Sequence, residues 1–425
     1  MEPDRDALCA AIRALDLARR SQEAMALFAE LERRSLRPSL EVYNIVIAGC
    51  ARKKQISKAF TWMDKMRDEG IKPNVLTYNA LINACEKCED WKRALSLLEQ
   101  MQAKGLTPTS ATYTAVIAAC AAGRQWFRAL QFLREMEEKG LKQDLFSFNA
   151  AISACEKSGQ WMQALDMLQE MQKKGIRPDV ITYNMVISAC GKGKQWMKAM
   201  SLIEEMKFNG ITPDVITYNT AISACGRLGQ WMWAMILMES MQEDGLVPDV
   251  ITYNAAMCAL SRGRQFERAL AMLQKMDFLG VRPSLITYST AITACAKSDQ
   301  WTEALALLKE MCDRKLQPNE ITYGAAIDAC ERGKQWEQVL DLLDEMQEQG
   351  LEPDLRMYDA SIVACEDDQQ WDLALELEAE RFDMRRADQL SQEASEVDGW
   401  LSDAAGFREG FREMDDVEEL SIDWL

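Results

Sequence analysis

A strict 35-residue period dominates this sequence of 425 residues, because an aromatic residue recurs every 35 positions without an insertion between copies. The ten aromatics are Tyr43, Tyr78, Tyr113, Phe148, Tyr183, Tyr218, Tyr253, Tyr288, Tyr323 and Tyr358. A unit of this length can bury its apolar face only by stacking on neighbouring copies. The period therefore predicts a repeat array whose function lies along its repeated surface.

One repeat, residues 180–214, has the pattern of two helices and a turn. Apolar residues at helical spacing form one stripe in each half of it. The two stripes are Tyr183, Ile187 and Cys190, followed by Trp196, Ala199, Met200, Ile203 and Met206. Gly191 and Gly193 mark the break between the helices, and Gly210 followed by Pro213 ends the second helix. The pattern predicts an all-α fold, an α-solenoid superhelix of about ten to eleven helix-turn-helix repeats.

The period divides the chain into four segments. We assign residues 1–39 to a degenerate N-terminal capping repeat, 40–354 to nine repeats, 355–389 to a degenerate C-terminal capping repeat and 390–425 to an acidic tail. In the first segment Leu8 and Cys9 stand where an aromatic and a polar residue are expected. In the third, Arg356, Asp359 and Asp367 break the pattern. A solenoid needs such capping repeats to close its apolar ends.

The formal net charge of −18 argues at first against a nucleic-acid partner, because phosphate binding depends on clustered Lys and Arg. The charge is unevenly distributed, however. Residues 355–425 hold 21 acidic and 6 basic side chains, which leaves 46 acidic and 43 basic in residues 1–354. The array itself is therefore nearly neutral. No apolar run is long enough to predict a membrane span, and the acidic start of the chain does not resemble a transit peptide or a secretory signal.

Cysteine recurs at one position of the period, where the spacing predicts a small buried apolar residue. The nine are Cys50, Cys85, Cys120, Cys155, Cys190, Cys225, Cys295, Cys330 and Cys365. Equivalent positions lie one repeat apart, so we expect free thiols and a reducing compartment. Cys85 and Cys88 resemble half of a zinc site, but the chain has no histidine and no second pair. We predict no metal, no cofactor and, without histidine, neither a deaminase zinc signature nor a histidine-based triad.

Tryptophan opens the second helix in most repeats. The positions are Trp91, Trp126, Trp161, Trp196, Trp231, Trp301, Trp336 and Trp371. A row of tryptophans could form a stacking platform for a ligand, but their spacing beside Leu and Met favours packing in the core.

Two polar positions repeat without the character of core. One directly follows the aromatic: Asn44, Asn79, Thr114, Asn149, Asn184, Asn219, Asn254 and Ser289. The other ends each unit: Asn74, Thr109, Asp144, Asp179, Asp214, Asp249, Ser284, Asn319 and Asp354. Either could be a helix N-cap, but capping explains one such residue per helix more easily than two. Capping also asks for the same chemistry in every copy, whereas varied amides and hydroxyls at a fixed pitch can hydrogen-bond successive base edges.

A basic residue recurs two positions after the cysteine position, near the end of the first helix. The eight are Arg52, Lys87, Lys157, Lys192, Arg227, Arg262, Lys297 and Arg332. Each could simply stabilise the helix C-terminus, an effect of about 0.3–1 kcal/mol. As a row they could also contact phosphates, and the two roles are compatible.

Four motifs, VITYN, AC-x-K, AL-x-LL-x-EM and G-x-x-PD, resemble the pentatricopeptide repeat family, in its P-type 35-residue form, over nearly the whole chain. Members of this family bind single-stranded RNA, one base per repeat. The resemblance implies that the residue after the aromatic and the last residue of the same repeat choose the base together. It also implies that an aliphatic two positions before the aromatic sandwiches the base. Those residues here are Leu76, Ile181, Ile216, Ile251, Ile286 and Ile321, with the aromatic Phe146 at this position in one repeat.

The family rule, carried over repeat by repeat, gives a target sequence. It assigns pyrimidines to Asn44 with Asn74 and to Asn79 with Thr109, G to Thr114 with Asp144, U to Asn149 with Asp179, Asn184 with Asp214 and Asn219 with Asp249, C to Asn254 with Ser284, and A to Ser289 with Asn319. The implied site is 5′-YYGUUUCA-3′. Gly324 with Asp354 lacks one of the two side chains, so its base is not assigned.

The resemblance implies a non-catalytic RNA-binding protein that acts in organellar RNA processing, stability or translation, in a mitochondrion or chloroplast. The alternative is an α-solenoid scaffold for proteins, because similar helix-pair arrays bind peptides and the chain is acidic. Residues 390–425 hold 11 acidic and 2 basic residues with Trp400, Phe407, Phe411 and Trp424 among them. This tail is either a terminal helix packed on the last repeat, or a docking segment for a protein partner or a competitor for the basic row.

Overall fold

The computed structural model describes residues 5–389 apart from residues 19, 35, 383, 387 and 388. Every regular element in these residues is an α-helix, and no β-strand occurs in them. The predicted all-α fold of helix-turn-helix repeats is confirmed. The acidic tail, residues 390–425, lies outside the described residues.

Each repeat contributes two helices, and odd-numbered helices are the first of each pair. The first helices are α1 (Arg5–Leu17), α3 (Leu40–Arg52), α5 (Val75–Lys87), α7 (Ser110–Ala122), α9 (Leu145–Lys157), α11 (Val180–Lys192), α13 (Val215–Arg227), α15 (Val250–Arg262), α17 (Leu285–Lys297), α19 (Glu320–Arg332) and α21 (Leu355–Asp367). The second helices are α2 (Ser21–Arg33), α4 (Ile56–Asp68), α6 (Trp91–Ala103), α8 (Trp126–Glu138), α10 (Trp161–Lys173), α12 (Trp196–Phe208), α14 (Trp231–Glu243), α16 (Phe266–Phe278), α18 (Trp301–Asp313) and α20 (Trp336–Glu348). A further helical segment covers residues 371–382.

The chain forms two compact units, Met1–Ala259 and Leu260–Leu425. In the first unit α3, α5, α7, α9, α11 and α13 pack against one another in chain order, and each also packs on its own second helix. In the second unit α17, α19 and α21 pack in the same way. The ten periodic aromatics are buried, as the period predicts. Each unit is therefore a stack of helix pairs in which first helices form the continuous layer.

The predicted helix breaks are only partly correct. Gly210 has a φ of +71° and follows the end of α12, as expected of a glycine that terminates a helix. Gly191, however, does not break the helix, and that prediction was wrong. It is buried within α11, where an added Cβ would lie 2.9 Å from the Cβ of Ala224. Close packing between first helices, rather than a turn, explains the absence of a side chain at Gly191.

The tryptophans that open second helices from Trp91 to Trp336 pack at the boundary between repeats and are half buried, whereas Trp371 is 58% exposed. Gly193 shows the reason, because a Cβ there would lie 2.2 Å from Cδ1 of Trp161 in the preceding repeat. Gly123 and Gly333 receive Trp91 and Trp301 in the same way. Each of these indoles therefore rests on the turn between the two helices of the next repeat. Packing, rather than a ligand platform, accounts for these residues.

The cysteines behave as buried apolar residues. All 13 are free, and the nine at the periodic position are buried. Burial raises the pKa of Cys85 and Cys155 to about 12, and that of Cys190 and Cys225 to about 11. These thiols are therefore protonated at neutral pH.

The described part of the chain lacks two features. None of its helices is long and apolar enough to cross a membrane. Nor does it contain a group of three or more His, Cys, Asp or Glu side chains that could hold a metal ion.

Candidate nucleic-acid interface

The apolar residues predicted to sandwich bases, six aliphatic residues and one phenylalanine, are exposed in every repeat that carries them. Each is the second residue of its first helix, and the seven side chains are between 61% and 71% exposed. They are Leu76, Phe146, Ile181, Ile216, Ile251, Ile286 and Ile321. Burial would stabilise such side chains, so exposure at the same position of seven repeats shows that this is not a packing position within the array.

The polar residue that ends each repeat is the N-cap of the next first helix. Its side-chain oxygen accepts a hydrogen bond from the backbone N–H three residues later. These caps are Asn74, Thr109, Asp144, Asp179, Asp214, Asp249, Ser284, Asn319 and Asp354. Asn, Asp, Ser and Thr all serve, so the expectation that capping would require one chemistry in every copy was wrong. Capping and base reading are compatible at this position.

The polar residue after the aromatic is not a cap, because it lies inside the first helix, five residues beyond the cap. We call it, together with the terminal residue of the same repeat, a reader pair. In three consecutive repeats the asparagine Nδ2 donates to the aspartate Oδ1. The distances are 3.4 Å for Asn149 to Asp179, 3.2 Å for Asn184 to Asp214 and 3.3 Å for Asn219 to Asp249. Asn44 contacts Asn74 in the same way at 3.4 Å.

The other reader pairs differ in their contacts. Thr114 and Ser289 turn their hydroxyls back to carbonyl oxygens of their own helices, at 2.9 Å each. Asn79 has a buried Oδ1 with no hydrogen-bond partner among the residues that the structure describes. Asn254 occupies the equivalent position of α15, and Ser284 caps α17. The three pairs assigned to uracil thus share the same hydrogen bond from an asparagine Nδ2 to an aspartate Oδ1.

Gly324 and Asp354 do not form a reader pair of this kind. Asp354 caps α21, but the third residue of that helix is Met357. A Cβ added to Gly324 would lie 2.9 Å from Cε of Met357. The methionine therefore takes the space that an asparagine side chain fills in other repeats.

Two of the joined aspartates, Asp214 and Asp249, are held in their charged form. Burial raises the pKa of Asp214, but hydrogen bonds from Thr217 and from Asn184 outweigh it and the net shift is downward. The pKa of Asp249 is lowered by the corresponding bonds from Thr252 and Asn219, again against burial. At neutral pH each carboxylate is an acceptor beside an amide donor.

The eight predicted cations are the last residues of their first helices, as expected. All are exposed except Lys297, which is half buried. Lys192 is not free for a phosphate, because its Nζ lies 2.6 Å from Oε1 of Glu156 in the preceding repeat. Lys87 pairs with Glu86 at 3.0 Å, and Arg332 with Asp299 at 3.6 Å. All eight cations therefore lie at helix C-termini, and Lys87, Lys192 and Arg332 also form ion pairs with acidic residues. Any contact with a partner would be additional to these roles.

One set of residues escaped the sequence analysis. The third residue of most first helices is a completely buried hydroxyl: Thr77, Thr112, Ser147, Thr182, Thr217, Thr252, Thr287 and Thr322. Together with the cap three residues earlier it forms a capping box, in which each side chain bonds the backbone N–H of the other residue. The regular spacing of cap and hydroxyl was the signal that could have revealed it.

The fold and this surface together define an array of helix pairs in which most first helices carry an exposed apolar residue and one member of a polar pair. Family models identify the array. One described as "PPR repeat family" matches residues 38–87, 73–122, 178–227, 213–262, 248–297 and 290–332. Others match residues 131–193 ("Pentatricopeptide repeat domain") and 111–141 and 321–351 ("PPR repeat"). The chain belongs to the pentatricopeptide repeat family.

Solved structures agree in fold. A crystal structure of the pentatricopeptide repeat protein PPR10 in complex with an 18-nt psaJ RNA element has a TM-score of 0.66, with 21% identity over 89% of this chain. The structure of PPR10 from maize has a TM-score of 0.58, with 23% identity over 88% of this chain. The chain covers 61% and 63% of the PPR10 chain in those two structures. No curated protein sequence matches it significantly.

Proposed function

We propose that this protein binds single-stranded RNA sequence-specifically, one base per repeat, at a core site 5′-YYGUUUCA-3′. We further propose that it acts in organellar RNA processing, stability or translation and has no catalytic activity of its own. The observation that carries the proposal is the joined reader pair beside an exposed aliphatic. In three consecutive repeats an amide donor and a carboxylate acceptor lie within 3.4 Å of each other. PPR10, which has the same fold, was crystallised with RNA.

The arrangement suits an unstacked base. An exposed apolar side chain offers a surface on which a base can stack, and the polar pair offers hydrogen bonds to its edge. The cations at the ends of the first helices supply a second, sequence-independent contribution through phosphates. Lys157 and Arg227 are the better candidates for it, because Lys192 is already paired with Glu156.

The test is fluorescence anisotropy with labelled CCGUUUCA against a scrambled RNA of the same composition, at about 150 mM salt, since phosphate contacts dominate at lower salt. We expect tighter binding to the ordered RNA. Equal binding to both RNAs would remove base reading from the proposal and leave charge-driven affinity alone.

A protein-binding scaffold is the second candidate, and one feature favours it. The second residue of the second helix is a large exposed apolar side chain in four consecutive repeats, namely Phe127, Met162, Met197 and Met232, each at least 55% exposed. Methionine-rich surfaces of this kind suit apolar peptides. Failure to bind either RNA would move this candidate to first place.

A further inference from the structure

The buried threonine hydroxyl does more than complete a capping box. Thr217 Oγ1 accepts a hydrogen bond from the backbone N–H of Asp214 at 3.2 Å, which is its capping role. The same oxygen lies 2.6 Å from Oδ1 of Asn184, 33 residues earlier in the chain. Thr182 reaches Asn149 and Thr252 reaches Asn219 at the same distance of 2.6 Å. The hydroxyl of one repeat therefore contacts the reader pair of the repeat before it.

The single hydroxyl proton has two neighbouring acceptors. Oδ1 of Asp214 is 2.8 Å away, but it already receives the Thr217 backbone N–H at 2.8 Å and the Asn184 amide at 3.2 Å. Oδ1 of Asn184 is closer, and the threonine hydroxyl is the donor that it faces. A hydroxyl has only one proton to donate, so we expect Thr217 to donate it to Oδ1 of Asn184 rather than to Oδ1 of Asp214.

This bond fixes which end of the amide faces a ligand. With Oδ1 of Asn184 held by Thr217, the Nδ2 group points to Asp214 and keeps a second proton for a base. A flipped amide would place its oxygen against the aspartate oxygen, with no proton between two acceptors. Uracil presents a carbonyl acceptor where cytosine presents an amino donor. A fixed Nδ2 donor therefore favours uracil over cytosine.

We propose that Thr182, Thr217 and Thr252 are positioning residues for base choice, each acting on the reader pair of the preceding repeat. The inference rests on the proposed RNA-binding function and adds to it a determinant outside the reader pairs themselves. Thr217 would touch no base. It would set the orientation of Asn184, and through it the choice between uracil and cytosine.

Two other repeats show that capping and positioning are separable. Thr112 forms a capping box with Thr109, yet Oδ1 of Asn79 in the preceding repeat has no partner among the described residues. Ser147 caps with Asp144 and turns its hydroxyl to the Asp144 carbonyl oxygen at 2.8 Å. Thr112→Val therefore removes a capping hydroxyl without removing an amide contact, and is a matched control for Thr217→Val.

The experiment measures the ratio of dissociation constants for CCGUCUCA and CCGUUUCA, which differ at the base assigned to Asn184 and Asp214. We expect the unaltered protein to prefer uracil by about tenfold or more, the scale of one good base contact. Thr217→Val, which keeps the side-chain shape, should reduce the preference to about twofold or less. Thr217→Ser should retain it, and Thr112→Val should retain it too. Loss of the cap alone would weaken binding to both RNAs and leave the ratio unchanged.

The outcomes separate the two proposals. If the unaltered protein does not distinguish ordered from scrambled RNA, the proposed function fails. If it does, and Thr217→Val keeps the full uracil preference, only the positioning role is overturned. Thr252→Val, assayed with CCGUUCCA, repeats the test on the neighbouring reader pair and decides the matter if Thr217→Val does not fold.

Discussion

The central repeat and the late repeat both end in an aspartate that caps the next helix, Asp214 and Asp354. They differ in the side chains that surround this aspartate. In both, the aspartate accepts the backbone N–H of the third helical residue, at 2.8 Å from Thr217 and at 2.9 Å from Met357. Of the two repeats, only the central one has an asparagine that donates to the aspartate and a threonine hydroxyl that contacts the asparagine. Under the proposed mechanism an N-cap alone therefore does not read a base, and reading requires the amide and the hydroxyl in addition.

If the two repeats differ only at this surface, their cores should be equally tight. Burial raises the pKa of Cys190 in the central repeat and of Cys330 in the late repeat to about 11, whereas Cys312 is exposed. A thiol reagent at about pH 8 should therefore modify Cys312 first and the two buried thiols at least about tenfold more slowly, because the thiolate is the reactive form and burial also blocks the reagent. The time course is followed by mass spectrometry of peptides. Faster modification of Cys330 than of Cys190 would show that the late repeat is loosely packed, and its missing reader pair would then not be explained by Met357 alone.

Converting the central repeat to the late type should abolish its base choice. Asn184→Gly combined with Thr217→Met removes the amide and the hydroxyl and leaves the Asp214 cap. We expect the affinity for CCGUUUCA to fall by about 1–3 kcal/mol and the uracil preference at the fifth base to vanish. Anisotropy with the fifth base varied measures both. A preserved preference would show that Asp214 reads the base by itself.

The reverse exchange should create a reader pair. Gly324→Asn with Met357→Thr supplies the amide and the hydroxyl to Asp354, and we expect a preference for uracil at a ninth base, CCGUUUCAU over CCGUUUCAC, of about fivefold or more. Gly324→Asn alone should give no preference, because its Cβ meets the methionine at 2.9 Å and no hydroxyl orients the amide. Both variants are compared in the same anisotropy assay. A preference in the single variant would refute the need for the hydroxyl.

A smaller effect separates charged caps from neutral ones. The folded pKa of Asp214 is lowered, so its contribution to stability is complete above the unfolded pKa and disappears as the pH falls through the folded value. We expect Asp214→Asn to cost about 0.3–1 kcal/mol at pH 7 and nothing well below about pH 4, where the wild-type carboxyl is neutral as well. Urea unfolding at the two pH values measures the difference. Asn319→Asp, at a naturally neutral cap, is the matched control and should raise the stability at pH 7 but not well below about pH 4. An effect of Asp214→Asn that does not depend on pH would contradict the stabilising role of the Asp214 charge.

Much of this architecture was predictable from the sequence because it depends on short-range regularities. The burial of Tyr183 and Cys190 and the helix end at Gly210 follow from spacing within one repeat. Gly191 was misassigned because its role depends on Ala224 in the next first helix, and a local pattern cannot distinguish a turn glycine from a packing glycine.

The contacts between repeats were the part that sequence could not supply. Thr217 acts on Asn184 across 33 positions, and Lys192 pairs with Glu156 across 36. Both are ordinary residues within their own repeats, where a threonine beside a cap or a lysine at a helix end has a sufficient local explanation. Their second roles are visible only once the stacking of neighbouring first helices is known.

The reader pair is completed by the helix that follows it, and this has a consequence for how such arrays can be shortened, lengthened or recombined. Asn184 belongs to α11, whereas its aspartate caps α13 and its hydroxyl comes from within α13. A cut at the 35-residue boundary, directly after Asp214, would therefore leave the last amide without its threonine and the aspartate without the helix that it caps. The exchangeable cassette is offset from the repeat, and should run from one asparagine to the residue before the next, so that each transplanted junction carries its cap and threonine with it.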